Sequence, residues 1–171
     1  METGAAFSPC GAYRFRLWRE WRRGSKAAAF VMLNPSTADE FTNDPTVERC
    51  QRRAIALGFG RLEVVNLFAL RSTNPRALVG HPDPVGAPEN DAAIDEVVEA
   101  AGLVVCAWGS HRMIGARGAA VLDRIRAAGK VPHALAINRD GNPAHPLYIP
   151  LAVTPRPLLP PDFARPHSAV S

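Results

Sequence analysis

The sequence predicts an α/β protein with a mainly parallel sheet lying between helix layers. Three observations carry this. Apolar runs of strand length recur at 27–33, 63–67, 103–108 and 131–137. Stretches with apolar residues at three- and four-residue spacing separate them, the signature of amphipathic helices. Each apolar run also stops at a loop rich in polar residues or glycine. Strands alternating with helices connect through right-handed crossovers, which make neighbouring strands parallel and cover both faces of the sheet. The 171 residues suit one α/β domain at 13–150, with a loose tail at 1–12 and an irregular Pro-rich tail at 151–171.

The elements follow in order. Residues 1–12 are small and show no periodicity. Tyr13-Arg-Phe-Arg-Leu-Trp18 alternates apolar and basic residues, as a half-buried strand does, with Arg14 and Arg16 on its wet face. It is expected to add as an antiparallel N-terminal edge strand. Ala27–Leu33 is continuously apolar, as in a strand covered on both faces. Asp44-Pro45 starts a helix, with Asp44 as cap and Pro45 in the first turn; Val47, Cys50, Ala54 and Leu57 form its inner face and Gly58 ends it. Glu63–Leu67 is the second buried strand. After a Pro/Gly-rich loop at 81–88, Asn90-Asp91 opens a helix that turns Ile94, Val97, Val98 and Ala101 inward. Leu103–Trp108, a helix over 116–128 and Val131–Ile137 complete the pattern.

Composition excludes several classes. No apolar run approaches the ~20 residues of a membrane span, and the basic first 26 residues lack the apolar core of a secretory signal. Cys10, Cys50 and Cys106 are scattered, and no Cys/His cluster offers zinc or an iron–sulfur centre a site. A reducing cytoplasm fits this cysteine usage. The net charge is +4. Arg14, Arg16, Arg19, Arg22, Arg23 and Lys26 against Glu2 and Glu20 account for all of it, and residues 27–171 are neutral. A basic end on a neutral body permits an anionic partner without requiring one.

Open α/β sheets bind ligands beyond the carboxyl ends of their strands. The unusual polar residues gather there, in 34–39, 66–72, 108–111 and 138–148. Asn34 can orient a water through its amide oxygen, and the Ser36 and Thr37 backbone can cradle an anion. The same residues can equally shape and cap a turn. Asn66 closes an otherwise apolar strand; its amide can serve a nucleobase edge or a neighbouring loop. His145, held by Pro146, can stabilise an oxyanion or donate to a leaving group. His111 can be simply a loop residue.

Two resemblances meet on these segments. Leu33-Asn-Pro-Ser-Thr-Ala-Asp39, Asp44-Pro-Thr46, Val65-Asn-Leu-Phe-Ala-Leu-Arg71, Glu89-Asn-Asp91, Ala107-Trp-Gly109 and His145-Pro-Leu-Tyr148 resemble a family of uncharacterised bacterial and phage proteins, a domain of unknown function. More distantly, the layout is similar to the uracil-DNA glycosylase superfamily. That likeness implies a three-layer α/β/α sandwich around a four-stranded parallel sheet. Asn34-Pro35 matches its first motif, Asn66 its base-reading Asn, Trp108-Gly109 the end of its third strand and His145-Pro146 its last loop. It implies that a nucleotide is extruded from the stack, that Asn66 bonds the base edge, that Asn34 positions a water near the sugar C1′, and that His145 stabilises the departing base. Asn34 and His145 are the implied catalytic residues. Asn66, Ser36, Thr37, Phe41, Trp108, Gly109 and Tyr148 are the expected substrate contacts, with Phe41 or Phe68 stacking on the base. No metal or cofactor is implied, and the partner is DNA or a nucleotide, with no membrane.

Met32 replaces the Gly that usually opens the first motif, and Leu147-Tyr148 replaces the Ser-Pro that completes the last. Asn rather than Asp at 34 weakens water activation. The sequence therefore supports three readings: a base-processing hydrolase, a non-catalytic nucleic-acid-binding module on the same fold, and an enzyme acting on a small nucleotide or metabolite.

Overall fold

A computed structural model describes residues 1–158. Its strands are β1 (Glu2–Phe7), β2 (Arg14–Glu20), β3 (Ala27–Met32), β4 (Arg61–Asn66), β5 (Leu103–Cys106), β6 (Pro132–Ala134) and β7 (Arg156–Pro157), and its helices α1 (Pro45–Ala56), α2 (Glu89–Ala100) and α3 (Gly115–Ala127). All seven strands form one mixed sheet in the order β1-β2-β4-β3-β5-β6-β7. β4, β3, β5 and β6 run parallel, while β1, β2 and β7 pair antiparallel. The fold is α/β as expected, but the four parallel strands are the middle of a larger sheet rather than the whole of it.

The differences lie at the edges. The segment expected to be a loose tail contains β1, which pairs with β2 along its length. The 13–18 segment is therefore not the edge, because β2 is covered by β1 on one side and β4 on the other. Gly4 makes this possible: Trp18 lies across it, and any Cβ there would collide with the indole. At the other edge, β7 lies within the expected Pro-rich tail and pairs with β6. The rest of that tail, residues 159–171, lies outside the described residues.

The alternation of β3 divides the core. Ala28, Phe30 and Met32 face α1 with Val47, Cys50 and Ala54, whereas Ala29 and Val31 face α2 and α3 with Ile94, Val98, Val121 and Leu122. α1 begins where its sequence dictates. The Asp44 carboxylate accepts from the Val47 amide, Pro45 occupies the first turn, and the chain leaves through Gly58 at a positive φ of 85°.

One irregularity in β2 matters for the site. Ala6 pairs with Arg16 but Phe7 pairs with Arg14, so Phe15 is an extra residue in the ladder. This bulge resets the two-residue alternation. Arg16 stays on the α2 face and binds Glu63 and Glu96. Arg14 joins Leu17 and Arg19 on the α1 face and is 2% exposed. The expectation that Arg14 and Arg16 share a wet face is thus wrong on both counts. Among the described residues, no helix is long and apolar enough to cross a membrane.

Candidate functional site

A cavity of about 380 Å³ opens at the carboxyl ends of β3, β4 and β5. Its polar lining includes Arg14, Asn34, Ser36, Asp44, Asn66 and His145, with Trp108, Gly109 and Tyr148 alongside. This is where the strand order reverses. The chain passes from β3 to β4 on one side and then crosses to β5 on the other, leaving a crevice between the diverging connections.

Asn34 leaves β3 with its amide nitrogen already committed. Nδ2 donates to the carbonyls of Ser72 at 3.0 Å and Pro35 at 3.2 Å, and approaches Leu70 O at 3.5 Å. All these partners are acceptors, so the amide has one possible orientation, and Oδ1 is the atom it can offer a ligand. The backbone beside it is laced to the end of β4 through Leu67 N–Met32 O, Phe68 N–Leu33 O and Ser72 N–Pro35 O bonds. Asn34 therefore both shapes the loop and faces the cavity.

Asn66 is the opposite case. It is 1% exposed, and neither Nδ2 nor Oδ1 has a hydrogen-bond partner. Its main chain is held firmly: Asn90 Nδ2 reaches Asn66 O at 3.0 Å, and Arg117 Nε reaches Leu67 O at 2.8 Å. A buried amide with both ends unsatisfied costs roughly 1–3 kcal/mol per polar group, so groups lining a cavity in this state point to a ligand with a complementary donor and acceptor.

His145 begins the short 3₁₀ turn Pro146–Tyr148, and its Nδ1 accepts from the Leu147 amide at 3.3 Å. The proton of the neutral ring is therefore on Nε2, which can donate into the cavity. Burial lowers the His145 pKa below its ordinary 6.5, against a weaker opposing pull from Asp44. The ring packs 5.7 Å from that of Tyr148. α1 fixes the following segment: Arg53 Nη2 donates to Ile149 O at 2.6 Å and Pro150 O at 3.0 Å, its Nη1 to Val153 O at 3.0 Å, and Arg49 to Ile149 O at 2.8 Å.

The structure brings Asn34, Asn66, His145, Ser36, Gly109 and Tyr148 to one cavity. Gly109 adopts a φ of 71°, and a Cβ there would sit 3.5 Å from that of His145. Trp108 also borders the cavity, but it is 1% exposed and gives its indole N–H to Asn142 Oδ1, so it serves the core. Thr37 is exposed and outside the lining. Phe41 is 82% exposed at the tip of an Asx turn made by Asp39 and also stands outside it. Phe68, the other expected stacking residue, is buried in the core. Both nitrogens of His111 meet backbone groups, Nε2 at Pro75 O and Nδ1 at Met113 N.

Sequence reasoning missed Arg14, hidden by the bulge, and read Asn90 only as part of a helix start, with no role at the site. A polar residue in the first turn of a helix facing a strand end was the available signal for Asn90. Asp44, expected as a helix cap, does cap α1 and also lines the cavity. Among the described residues there is no group of three or more His, Cys, Asp or Glu placed to hold a metal ion.

Residues 14–147 match a family described as a protein of unknown function, DUF1643. No curated protein and no solved structure matches the chain.

Proposed function

The chain belongs to the DUF1643 family, and we propose that the cavity at its strand ends binds a nucleobase and that the protein hydrolyses the N-glycosidic bond of that base. The observation that carries this reading is the buried, unpartnered amide of Asn66. A primary amide offers one donor and one acceptor side by side, which complements the edge of a base. A volume of about 380 Å³ is of the right order for a base and its sugar.

The roles then follow from geometry. Asn66 holds the base edge. Asn34 Oδ1 accepts from a water and turns the water's lone pair toward C1′. The C1′–N bond breaks, its electron pair leaves with the base, and His145 Nε2–H donates a hydrogen bond to that developing anion. The water oxygen bonds to C1′ and its proton passes to solvent or base. A neutral His145 suits this donor role, because it stabilises charge without first having to be protonated. The motif resemblance to uracil-DNA glycosylases, including their layered sandwich, agrees with this assignment and extends it to a base flipped out of DNA.

The test uses oligonucleotides carrying uracil, hypoxanthine or a modified pyrimidine, followed by alkaline cleavage of abasic sites. Strand breaks that disappear in Asn34→Ala and His145→Ala support the reading. Their absence for every base, with hydrolysis of a free nucleoside instead, moves the activity to small nucleotides. That second reading is favoured by the burial of Arg14 and Arg19, which turns these two cations of β2 away from a DNA backbone.

A further inference from the structure

Arg14 is 2% exposed, lines the cavity and makes no direct ion pair with a carboxylate among the described residues. Its neighbours in β2 and α1 show what a structural arginine looks like in this fold. Arg19 Nε and both Nη groups reach Asn43 Oδ1 and the carbonyls of Trp18, Asp39 and Thr42, and Arg53 holds three carbonyls. Arg14 makes one side-chain hydrogen bond, from Nη1 to Ala38 O at 2.9 Å; its Nε has no partner, which it shares with Arg53, so the contrast lies in the number of carbonyls held. Asp44 is the acid that acts on it, but the Asp44 oxygens already accept from Val47 N at 2.9 Å and Ala38 N at 3.4 Å. Arg71 and Arg19 add positive charge around it. Burial brings its pKa down to about 10, so it stays charged at neutral pH. A buried charge whose nearest carboxylate makes no direct ion pair with it is only partly compensated, and a bound anion adds the missing contact.

The place of this charge is specific. Arg14 N bonds Ala69 O beyond the end of β4, and the bulge turns the Arg14 side chain to the face that also carries Val64 and Asn66. Both side chains are almost fully buried, whereas Tyr148, Ser110 and Thr73 form the exposed rim. Whatever Asn66 holds is therefore near Arg14, deep in the cavity.

We propose that Arg14 is an anion-binding residue of this cavity, and that the ring read by Asn66 carries a negatively charged oxygen, an ionised ring oxygen or a ring carboxylate, against its guanidinium. This rests on the cavity being a base site, and it replaces a neutral base such as uracil with an acidic one as the preferred ligand.

Calorimetric titration of the full chain tests it with two matched pairs, uracil against orotate and hypoxanthine against urate, and with deoxyuridine against dUMP. The expected result is that at least one ring anion binds about tenfold or more tighter than its neutral partner, as a charge-assisted bond allows. Arg14→Met abolishes that preference, and Asn66→Ala weakens both members of the pair. Arg14→Met removes a buried charge that makes no direct ion pair and is expected to fold; Arg14→Lys keeps the charge and checks the result independently. Equal binding of neutral and anionic rings, or a preference that survives Arg14→Met, overturns the role of Arg14 while leaving Asn66 as the base-reading residue. An Arg14-dependent preference for dUMP over deoxyuridine, without a ring-anion preference, overturns placement of the charge on the ring. No binding by any probe overturns both this inference and the base-site reading.

Discussion

Replacing Asn34 by Asp separates two ways of thinking about the site. By analogy with water-activating carboxylates, Asn34→Asp should strengthen catalysis. The hydrogen bonds of Asn34 say the reverse. Its Nδ2 is the donor to Ser72 O and Pro35 O, and Leu70 O lies at the edge of bonding distance. A carboxylate has no donor, so at least two bonds at about 1 kcal/mol each are lost and an anion is pressed against carbonyl oxygens. The combined cost at pH 7 should be about 2–4 kcal/mol. The introduced carboxyl faces only acceptors, so its folded-state pKa is raised above the ~3.9 of an unfolded chain. The unfolded state then releases its proton first, and the variant loses stability as pH rises from about 4 through the raised value, at up to ~1.4 kcal/mol per unit. Below about pH 4 both states are protonated, the carboxyl O–H can donate to Ser72 O, and most of the penalty vanishes. Urea unfolding of wild type, Asn34→Asp and Asn34→Ala across pH 4–8 measures this. A stability gap between Asn34→Asp and wild type that does not change with pH, or an Asn34→Asp variant more stable than Asn34→Ala at neutral pH, would refute the reasoning.

Three further outcomes are expected. Asn66→Leu should raise unfolding stability by about 1–3 kcal/mol, because it replaces a buried unsatisfied amide by an apolar side chain of similar size, while abolishing ligand binding; a loss of stability on urea unfolding would contradict the absence of partners. His145, with its pKa lowered by burial, makes the folded state reluctant to bind a proton, so stability falls as pH drops below about 6.5 toward the lowered value. His145→Gln should flatten that part of the stability profile, and an unchanged acid limb would count against a desolvated ring. Arg53→Met removes the donor to Ile149, Pro150 and Val153. It should cost about 2–4 kcal/mol and accelerate amide exchange at Leu147–Ile149; unchanged exchange would mean that Arg53 does not hold the His145 segment.

What the sequence revealed depended on whether the cause of a feature was local. α1 was legible to within a residue because Asp44, Pro45 and Gly58 each act on the backbone beside them. β3 was legible because a strand buried on both faces must be apolar throughout. β1 was not, since Glu2–Phe7 becomes a strand only by pairing with β2 and by letting Trp18 cross Gly4. β7 is two residues long and exists only beside β6. The site shows the same split. Asn34, Asn66 and His145 could be placed because polar residues at the ends of apolar strands are conspicuous. Arg14 could not, because nothing in Tyr13-Arg-Phe-Arg marks Phe15 as the residue where alternation breaks.

That break changes what the basic N-terminal segment is for. Of its six cations, Arg14, Arg16 and Arg19 are turned inward or paired with Glu63 and Glu96. Arg22, Arg23 and Lys26 remain exposed, in the connection that leads into the start of β3. The cavity lies beyond the end of β3, and six residues of strand span about 20 Å. These three cations therefore sit at the far end of the sheet from the cavity. If the protein engages DNA through the cavity, removing them should leave both affinity and its salt dependence unchanged, because a cation steepens the salt dependence only if it contacts a phosphate. The triple replacement Arg22→Ser, Arg23→Ser, Lys26→Ser, titrated against an oligonucleotide at several salt concentrations, decides this. A slope reduced by about 0.7–0.9 per residue removed would place DNA across that end of the sheet, and the cavity would then have to be reached by a strand running around the molecule. An unchanged slope assigns the positive charge of this segment to building the cavity, with Arg19 tying down the 39–43 loop and Arg14 lining the cavity.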